Sequence, residues 1–360
     1  MSQPLVLIFH RPAQSHEPRL VQVLADARRR LAADHAGLFE RAGAKEVRLV
    51  TDRLAGRAFG AALAGQVPPR GGLIVLGSGA VPLLGERDAQ RLLSVAASGQ
   101  ARALTNNRYS SDICALGDAA ALRGLPPLTG DNALPRWLAE EAGVTVHELP
   151  RRSRLALDLD TPLDIALIGR HPDAPPWLAA TADEAGLAIP RLDELRAVAA
   201  DPGAELLIFG RSGSRTLRWL GRSVRCRVRF LTEERGLRAS TALPRESGTG
   251  PRSGRPPRAT IGRLIQSGGP RALAAIVAQL ADGALLDTRV LLADHLGADE
   301  AAWPPAGERF ASDLPRPAEI GDSWLRELTV AALESELPIL LAAHSVVGPG
   351  IPLLLGGCAK

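Results

Sequence analysis

The sequence predicts an α/β fold: a mostly parallel sheet with helices on both faces, followed by a second α/β-to-helical domain. Three observations point there. Short apolar runs alternate with longer segments of helical periodicity, the pattern of repeated βαβ units. Some of the runs, such as Leu73-Ile-Val-Leu76, are apolar without interruption, as strands covered on both faces are. The chain has 360 residues, 46% of them apolar, which is enough for two cores. Two domains are therefore expected, 1–170 and 171–360.

The elements of the first domain read in order. Leu5–Phe9 is a strand, and Pro18 to about Ala42 a long helix with Arg28-Arg29-Arg30 on a solvated face. Glu46–Val50 is a strand, Leu54–Leu63 a helix and Leu73–Leu76 a buried strand. Glu86–Ala97 and Pro135–Gly143 read as helices, and Val144–Leu149 as a strand. Next comes Leu155-Ala-Leu-Asp158-Leu-Asp160-Thr161-Pro162-Leu-Asp164. If its first residues form a strand, alternation puts Asp158 and Asp160 on one face. Thr161 can cap the following helix and Pro162 fits its first turn. Two like charges on one face call for a cation, basic partners or open solvent. The plain alternative is an exposed strand end. In a parallel sheet, ligands bind outside the carboxyl ends of the strands. Gly77-Ser78-Gly79, Asn106-Asn107-Arg108 and the Asp pair are then expected at one edge.

The Asp segment resembles the Asp-x-Asp-Thr-Pro-x-Asp signature of a nucleotidyltransferase family. That family includes 2-phospho-L-lactate guanylyltransferase and the molybdenum-cofactor guanylyl- and cytidylyltransferases. Leu73–Leu76 followed by Gly77-Ser-Gly-Ala80-Val-Pro82-Leu-Leu84 is similar to that family's strand ending in Pro-x-Asp-x-Pro-Leu-Leu. Leu104-Thr-Asn-Asn107-Arg108 and Ser110-Ser-Asp112-Ile-Cys-Ala-Leu116 fall where the family has its substrate-contacting loop and next strand. The resemblance covers about residues 1–170. It implies a Rossmann-like, nucleotide-diphospho-sugar transferase-like sheet and Mg²⁺-dependent nucleotidyl transfer from an NTP to a small phosphorylated acceptor. Asp158 and Asp160 are then the metal ligands, and Arg19 and Asp160 the catalytic residues. Arg11, Ser78, Gly79, Asn107, Arg108 and Asp112 contact substrate. Two positions depart from the family. The loop after the first strand, His10 to Leu20, holds neither glycine nor lysine, and Ala80 stands where the family has its other metal-binding aspartate.

Composition narrows the partners. Lys45 and Lys360 are the only lysines, so basic chemistry falls to arginine, which suits bidentate phosphate binding. The net charge is only +4, and six Phe, five Trp and one Tyr make no stacking platform, so nucleic acid is not an expected partner. No apolar run reaches 18 residues, and no signal peptide opens the chain, so neither membrane insertion nor export is expected and a cytoplasmic location is. Cys114, Cys226 and Cys358 are far apart, which argues against a zinc site or disulfide framework; the first two read as buried, inert thiols.

The second half starts like another α/β unit. Pro175–Glu184 and Leu192–Ala199 are helices, and Glu205–Phe209 is a strand. The loop Gly210-Arg-Ser-Gly-Ser-Arg-Thr216 precedes a helix carrying Trp219 and Leu220. This is either an anion site with Ser212 and Ser214 as donors or an ordinary connection. Val224–Leu231 alternates with Arg225, Arg227 and Arg229 as a half-exposed strand, ended by Glu233-Glu-Arg-Gly236. Residues 241–260 are rich in Gly, Pro, Ser and Arg and read as a flexible loop. Pro270–Leu280, Ala284–His295 and Ser323–Glu334 read as helices, with Asp287 and Arg289 as an ion pair or part of a site. Leu337–Leu341 is a strand feeding His344-Ser345 and Gly348-Pro-Gly350, a ligand-contacting loop or a structural turn. Adjacent residues point apart, so His344 and Ser345 do not form a nucleophile pair.

Three functions are consistent with these features. The chain transfers nucleotidyl groups; or it keeps that fold and only binds a nucleotide or sugar nucleotide, or serves as a scaffold; or the active centre lies in the second half, around Arg211–Arg215, Glu233–Arg235 and His344.

Overall fold

The computed structural model describes residues 4–51, 58–150, 153–233 and 258–356. Two compact units divide the chain: Ala25–Leu159 with the N-terminal strand in the first, and Ser15–Leu24, Asp160–Arg235 and Arg255–Lys360 in the second.

The first unit is built on a six-stranded sheet of order β2-β1-β3-β5-β4-β6. Its strands are β1 (Leu5–Phe9), β2 (Glu46–Val50), β3 (Leu73–Gly77), β4 (Arg102–Thr105), β5 (Ile113–Leu116) and β6 (Thr145–Glu148). The sheet is mostly parallel, as expected, and mixed only through one strand: β5 runs antiparallel to both β3 and β4. The cause is the connection. Only residues 106–112 separate β4 from β5, and a parallel crossover needs about a dozen residues or more. Alternate residues of each strand feed two cores. Leu5, Leu7, Phe9, Leu73 and Val75 pack with Ala62, Leu63, Trp137 and Leu138 on one face. Val6, Ile8, Ile74 and Leu76 pack with Ala32, Phe39, Leu92 and Leu93 on the other. These last come from α1 (Arg19–Arg41), whose later turns belong to this unit, and from α3 (Glu86–Ala96); α2 (Phe59–Ala64) and α4 (Leu134–Glu140) cover the opposite side.

The segment before the Asp pair is not a strand. Ser153–Ala156 forms a 3₁₀ turn, and Asp158 makes only an isolated antiparallel bridge with Ala80. Thr161 does cap a helix, α5 (Pro162–Ile168): its hydroxyl accepts from the Asp164 N–H while the Asp164 carboxylate accepts from the Thr161 N–H.

The second unit contains a four-stranded, all-parallel sheet of order β10-β9-β7-β8. Its strands are β7 (Glu205–Gly210), β8 (Arg227–Thr232), β9 (Gly283–Asp287) and β10 (Ile339–Ala342). Every residue of β9 and β10 is buried, as parallel strands covered on both faces are. Around the sheet lie α6 (Pro176–Ala185), α7 (Leu192–Ala200), α8 (Ser214–Ser223), α9 (Thr260–Gly268), α10 (Leu273–Ala278), α11 (Thr288–Leu296), α12 (Ala306–Asp313), α13 (Ser323–Leu333) and α14 (Ile351–Leu355). The predicted helix Ala284–His295 is therefore corrected: its first four residues complete β9, and the helix starts at Thr288. A short continuous apolar run fits either element, and here the strand wins. Most of the predicted flexible loop, 241–257, lies outside the described residues, as do Glu234–Gly236, Cys358 and the start of the predicted helix Leu54–Leu63; α9 begins at Thr260. Cys114 and Cys226 are buried, and burial pushes the Cys114 thiol up to about 12. Among the described residues no helix is long and apolar enough to cross a membrane.

Candidate functional site

In the second unit the chain lays down β7, places β8 on one side of it, and then places β9 and β10 on the other. The strand order reverses between β7 and β9. Ligands of open parallel sheets bind outside the carboxyl ends of the strands at such a point. A charged pair sits there. Asp287, the last residue of β9, is fully buried; its Oδ2 accepts from Arg211 Nε at 2.7 Å and its Oδ1 from Arg211 Nη2 at 3.1 Å. Oδ2 also accepts from the Arg211 N–H at 3.3 Å, and Oδ1 from the Arg289 N–H at 3.2 Å, which caps α11. Burial works to raise the Asp287 carboxyl, but Arg211, then His344 and Arg289, reverse the shift and hold it below the usual carboxylate range. The Arg211 side chain is 32% exposed. Asp287 takes the Nε–Nη2 edge of its guanidinium, and among the described residues no acceptor takes the edge formed by Nη1 and Nη2.

The approach of the two strand ends depends on Gly210. Its φ is +129°, and a Cβ there would lie 2.2 Å from the Asp287 Cβ. Both facts restrict the position to glycine. Arg289 itself pairs with Asp313, Nη2 to Oδ2 at 2.7 Å, both residues being buried. The expected Asp287–Arg289 side-chain pair is thus replaced by two pairs, Arg211–Asp287 and Arg289–Asp313.

Asp160 and His344 complete the edge. A carboxylate oxygen of exposed Asp160 and a ring nitrogen of half-buried His344 lie within 4.8 Å. Burial opposes the charge on Arg211, and Asp287, followed by Asp160 and Glu300, more than offsets it. Beneath them Asp164 is 1% exposed and accepts four hydrogen bonds. Burial pushes its carboxyl up to about 6, with Asp160 adding to the rise and the Ser345 and Thr161 hydrogen bonds opposing it.

The first unit holds most of the residues that the sequence singles out. Its own order reverses between β1 and β3, where His10 Nδ1 and Ser78 Oγ are 3.0 Å apart and both buried. Burial, helped by Arg28 and Arg29, lowers the His10 pKa, so its imidazole is neutral at pH 7. Gly79 is crowded: a Cβ would meet Arg28 Nε and the Leu159 carbonyl at 2.9 Å each. Gly79 O accepts from the Leu159 N–H, and Ala80 pairs with Asp158, so the turn after β3 and the Asp158 segment do meet. Asp112 is tied to Asn106, which donates to it at 2.6 Å and also bonds the Leu155 carbonyl. Asn107 stabilises its own loop by accepting from the Tyr109 N–H, and Arg108 lies 5.8 Å from the Tyr109 ring. Arg11 and Arg19 are exposed and belong to different units. The Asp pair is also divided: Asp158 is in the first unit and Asp160 in the second.

Sequence reasoning did not mark His10, nor the partnership of Arg211 with Asp287, nor that of Asp164 with Ser345. The first two follow from strand order, which brings residues far apart in the chain to one edge, and the third from α5 lying beside the turn after β10. No family model matches the chain, and no curated protein matches it either.

Proposed function

We propose that the protein binds a small phosphorylated ligand of the nucleotide class at the carboxyl edge of the second unit's sheet, with Arg211 as the phosphate-contacting group. The carrying observation is the Arg211–Asp287 pair between β7 and β9. A guanidinium oriented by a buried carboxylate keeps its planar fork in one direction, which suits bidentate phosphate recognition. Arg211 also opens the loop into α8, whose first N–H groups have no side-chain cap. In the first unit, by contrast, the Ser78 and Gly79 positions are occupied by internal contacts.

Nucleotidyl transfer is a second reading, and the approach of Asp160 and His344 favours it. A carboxylate and an imidazole beside a bound phosphate ester are suited to taking the proton of an acceptor hydroxyl. Magnesium prefers an all-oxygen shell, whereas an imidazole suits Mn²⁺, Zn²⁺ or Fe²⁺ better. Within the second unit the donor near Asp160 is His344, a poor fit for Mg²⁺.

A thermal-shift and calorimetric panel tests both readings: inorganic pyrophosphate and the four NTPs, each with and without Mg²⁺ or Mn²⁺. The binding reading predicts a shift with at least one of them, weakened in Arg211→Lys, which keeps the charge beside Asp287 and loses the planar fork. It fails if none shifts the wild-type protein. Pyrophosphate release on adding small phosphorylated acceptors, abolished in Asp160→Asn and His344→Gln, is what transfer requires.

A further inference from the structure

We infer that Asp164 is the positioning residue of this edge: one buried carboxylate ties the segment carrying Asp160 to the turn carrying His344, and so sets the spacing of the pair. The inference rests on the site proposed above. Its basis is the direction of four hydrogen bonds. Oδ2 accepts from the Asp160 N–H at 3.1 Å, the Thr161 N–H at 2.7 Å and the Thr161 hydroxyl at 3.0 Å. Oδ1 accepts from the hydroxyl of Ser345, 181 positions away. A capping box explains the Thr161 bonds alone. It explains neither the bond to Asp160 nor the one to Ser345.

The geometry on the Ser345 side is equally constrained. Ser345 is 1% exposed and lies in the 3₁₀ turn His344–Val347 that follows β10. Its carbonyl accepts from the Gly350 N–H at 2.9 Å. A Cβ on Gly350 would lie 2.5 Å from Leu167 Cδ2 and 2.8 Å from the Ser345 carbonyl, so the turn is seated directly on α5. Asp160 and His344 are each one residue from a group that Asp164 holds: Thr161 on one side, Ser345 on the other. A hydroxyl and a carboxylate are therefore placed where a purely structural contact between a helix and a turn would need only apolar packing. The cost of burying the carboxylate is accepted at a position that fixes exposed Asp160 and half-buried His344.

The test is a mutant cycle read with pyrophosphate, with and without Mn²⁺, on the full chain. Asp164→Asn and Ser345→Ala are each measured in the wild-type background and in Asp160→Asn/His344→Gln. A positioning role predicts that each weakens the Mn²⁺-dependent part of pyrophosphate affinity by roughly tenfold in the wild-type background, and that this loss disappears when Asp160 and His344, the groups that would hold Mn²⁺, have been removed. A merely structural role leaves the same loss in both backgrounds, and that result overturns the inference, as does no loss in either. Should Asp164→Asn not fold, Ser345→Ala reads the same tie from its other end. Absence of binding of pyrophosphate and of every NTP by the wild-type protein overturns the binding reading and this inference together, whereas intact binding that ignores both substitutions overturns this inference alone.

Discussion

Removing Arg211 should destabilise the second unit more than removing its partner Asp287. The two residues share two side-chain hydrogen bonds, but their surroundings differ: Asp287 is fully buried, and the Arg211 side chain is 32% exposed. Arg211→Met leaves a buried carboxylate without its cation, a change that costs about 3–5 kcal/mol. Asp287→Asn leaves a guanidinium that can turn toward water, and the new amide oxygen can still accept from the Arg289 N–H. Its cost is that of lost charge-assisted hydrogen bonds, about 1–3 kcal/mol. The pH dependence separates the two further. Without Arg211, burial raises the Asp287 carboxyl, and a group whose folded pKa is raised favours folding at low pH and loses that contribution as pH rises. The Arg211→Met deficit should therefore shrink between pH 8 and pH 5. In the wild-type protein the sign is opposite, because Asp287 is held below its usual range. The assay is urea unfolding followed by tryptophan fluorescence: Trp177, Trp219, Trp303 and Trp324 all lie in the second unit. An Asp287→Asn cost equal to or above that of Arg211→Met, or a deficit independent of pH, would refute this assignment of a buried, arginine-dependent carboxylate.

Gly210→Ala should be as damaging as loss of the pair itself, because the added methyl meets the Asp287 Cβ and the φ of +129° strains any side chain; urea unfolding should show a loss of at least about 2 kcal/mol, and Gly221→Ala, with open space around it, should not. The two units should respond to acid in opposite directions. Burial lowers His35 to about 4 in the first unit, so its contribution is present above pH 6.5 and lost as pH falls toward 4, about 3 kcal/mol in all. Asp164 is raised to about 6 in the second, so its contribution is present below about pH 4 and lost as pH rises through 6. Amide exchange at pH 4.5 and 7 should show protection falling around His35 and rising around α5, and His35→Phe and Asp164→Asn should each remove their own slope.

The sequence made the central strands legible because both faces are covered: Leu5–Phe9, Leu73–Leu76 and Glu205–Phe209 leave little other choice. The capped helix after Thr161 was equally clear, since its Thr-Pro-x-Asp pattern acts within one turn. What escaped reading was set by distance along the chain. The antiparallel course of β5 was within reach, because residues 106–112 are too few for a crossover, but propensity says nothing of direction. Ala284–His295 contains a strand and a helix joined at Asp287, and the apolar residues of both blend into one helical pattern. Asp287 was visible as a charge in an apolar stretch; that it faces Arg211 could be known only once β7 and β9 were neighbours. Likewise His344 and Ser345 were legible as polar residues after a strand, whereas the tie from Ser345 to Asp164 depends on α5 lying beside that turn.

The most direct test of the proposed site is calorimetric titration of inorganic pyrophosphate and each NTP into the wild-type protein and Arg211→Lys, with and without Mn²⁺. A phosphate site at the edge of β7 and β9 predicts saturable binding of at least one of these ligands, weakened by about tenfold or more in the variant, a loss of about 1.4 kcal/mol or more, while the thermal stability of the unliganded protein stays close to wild type. Binding of equal strength to both proteins, or to neither, would contradict it.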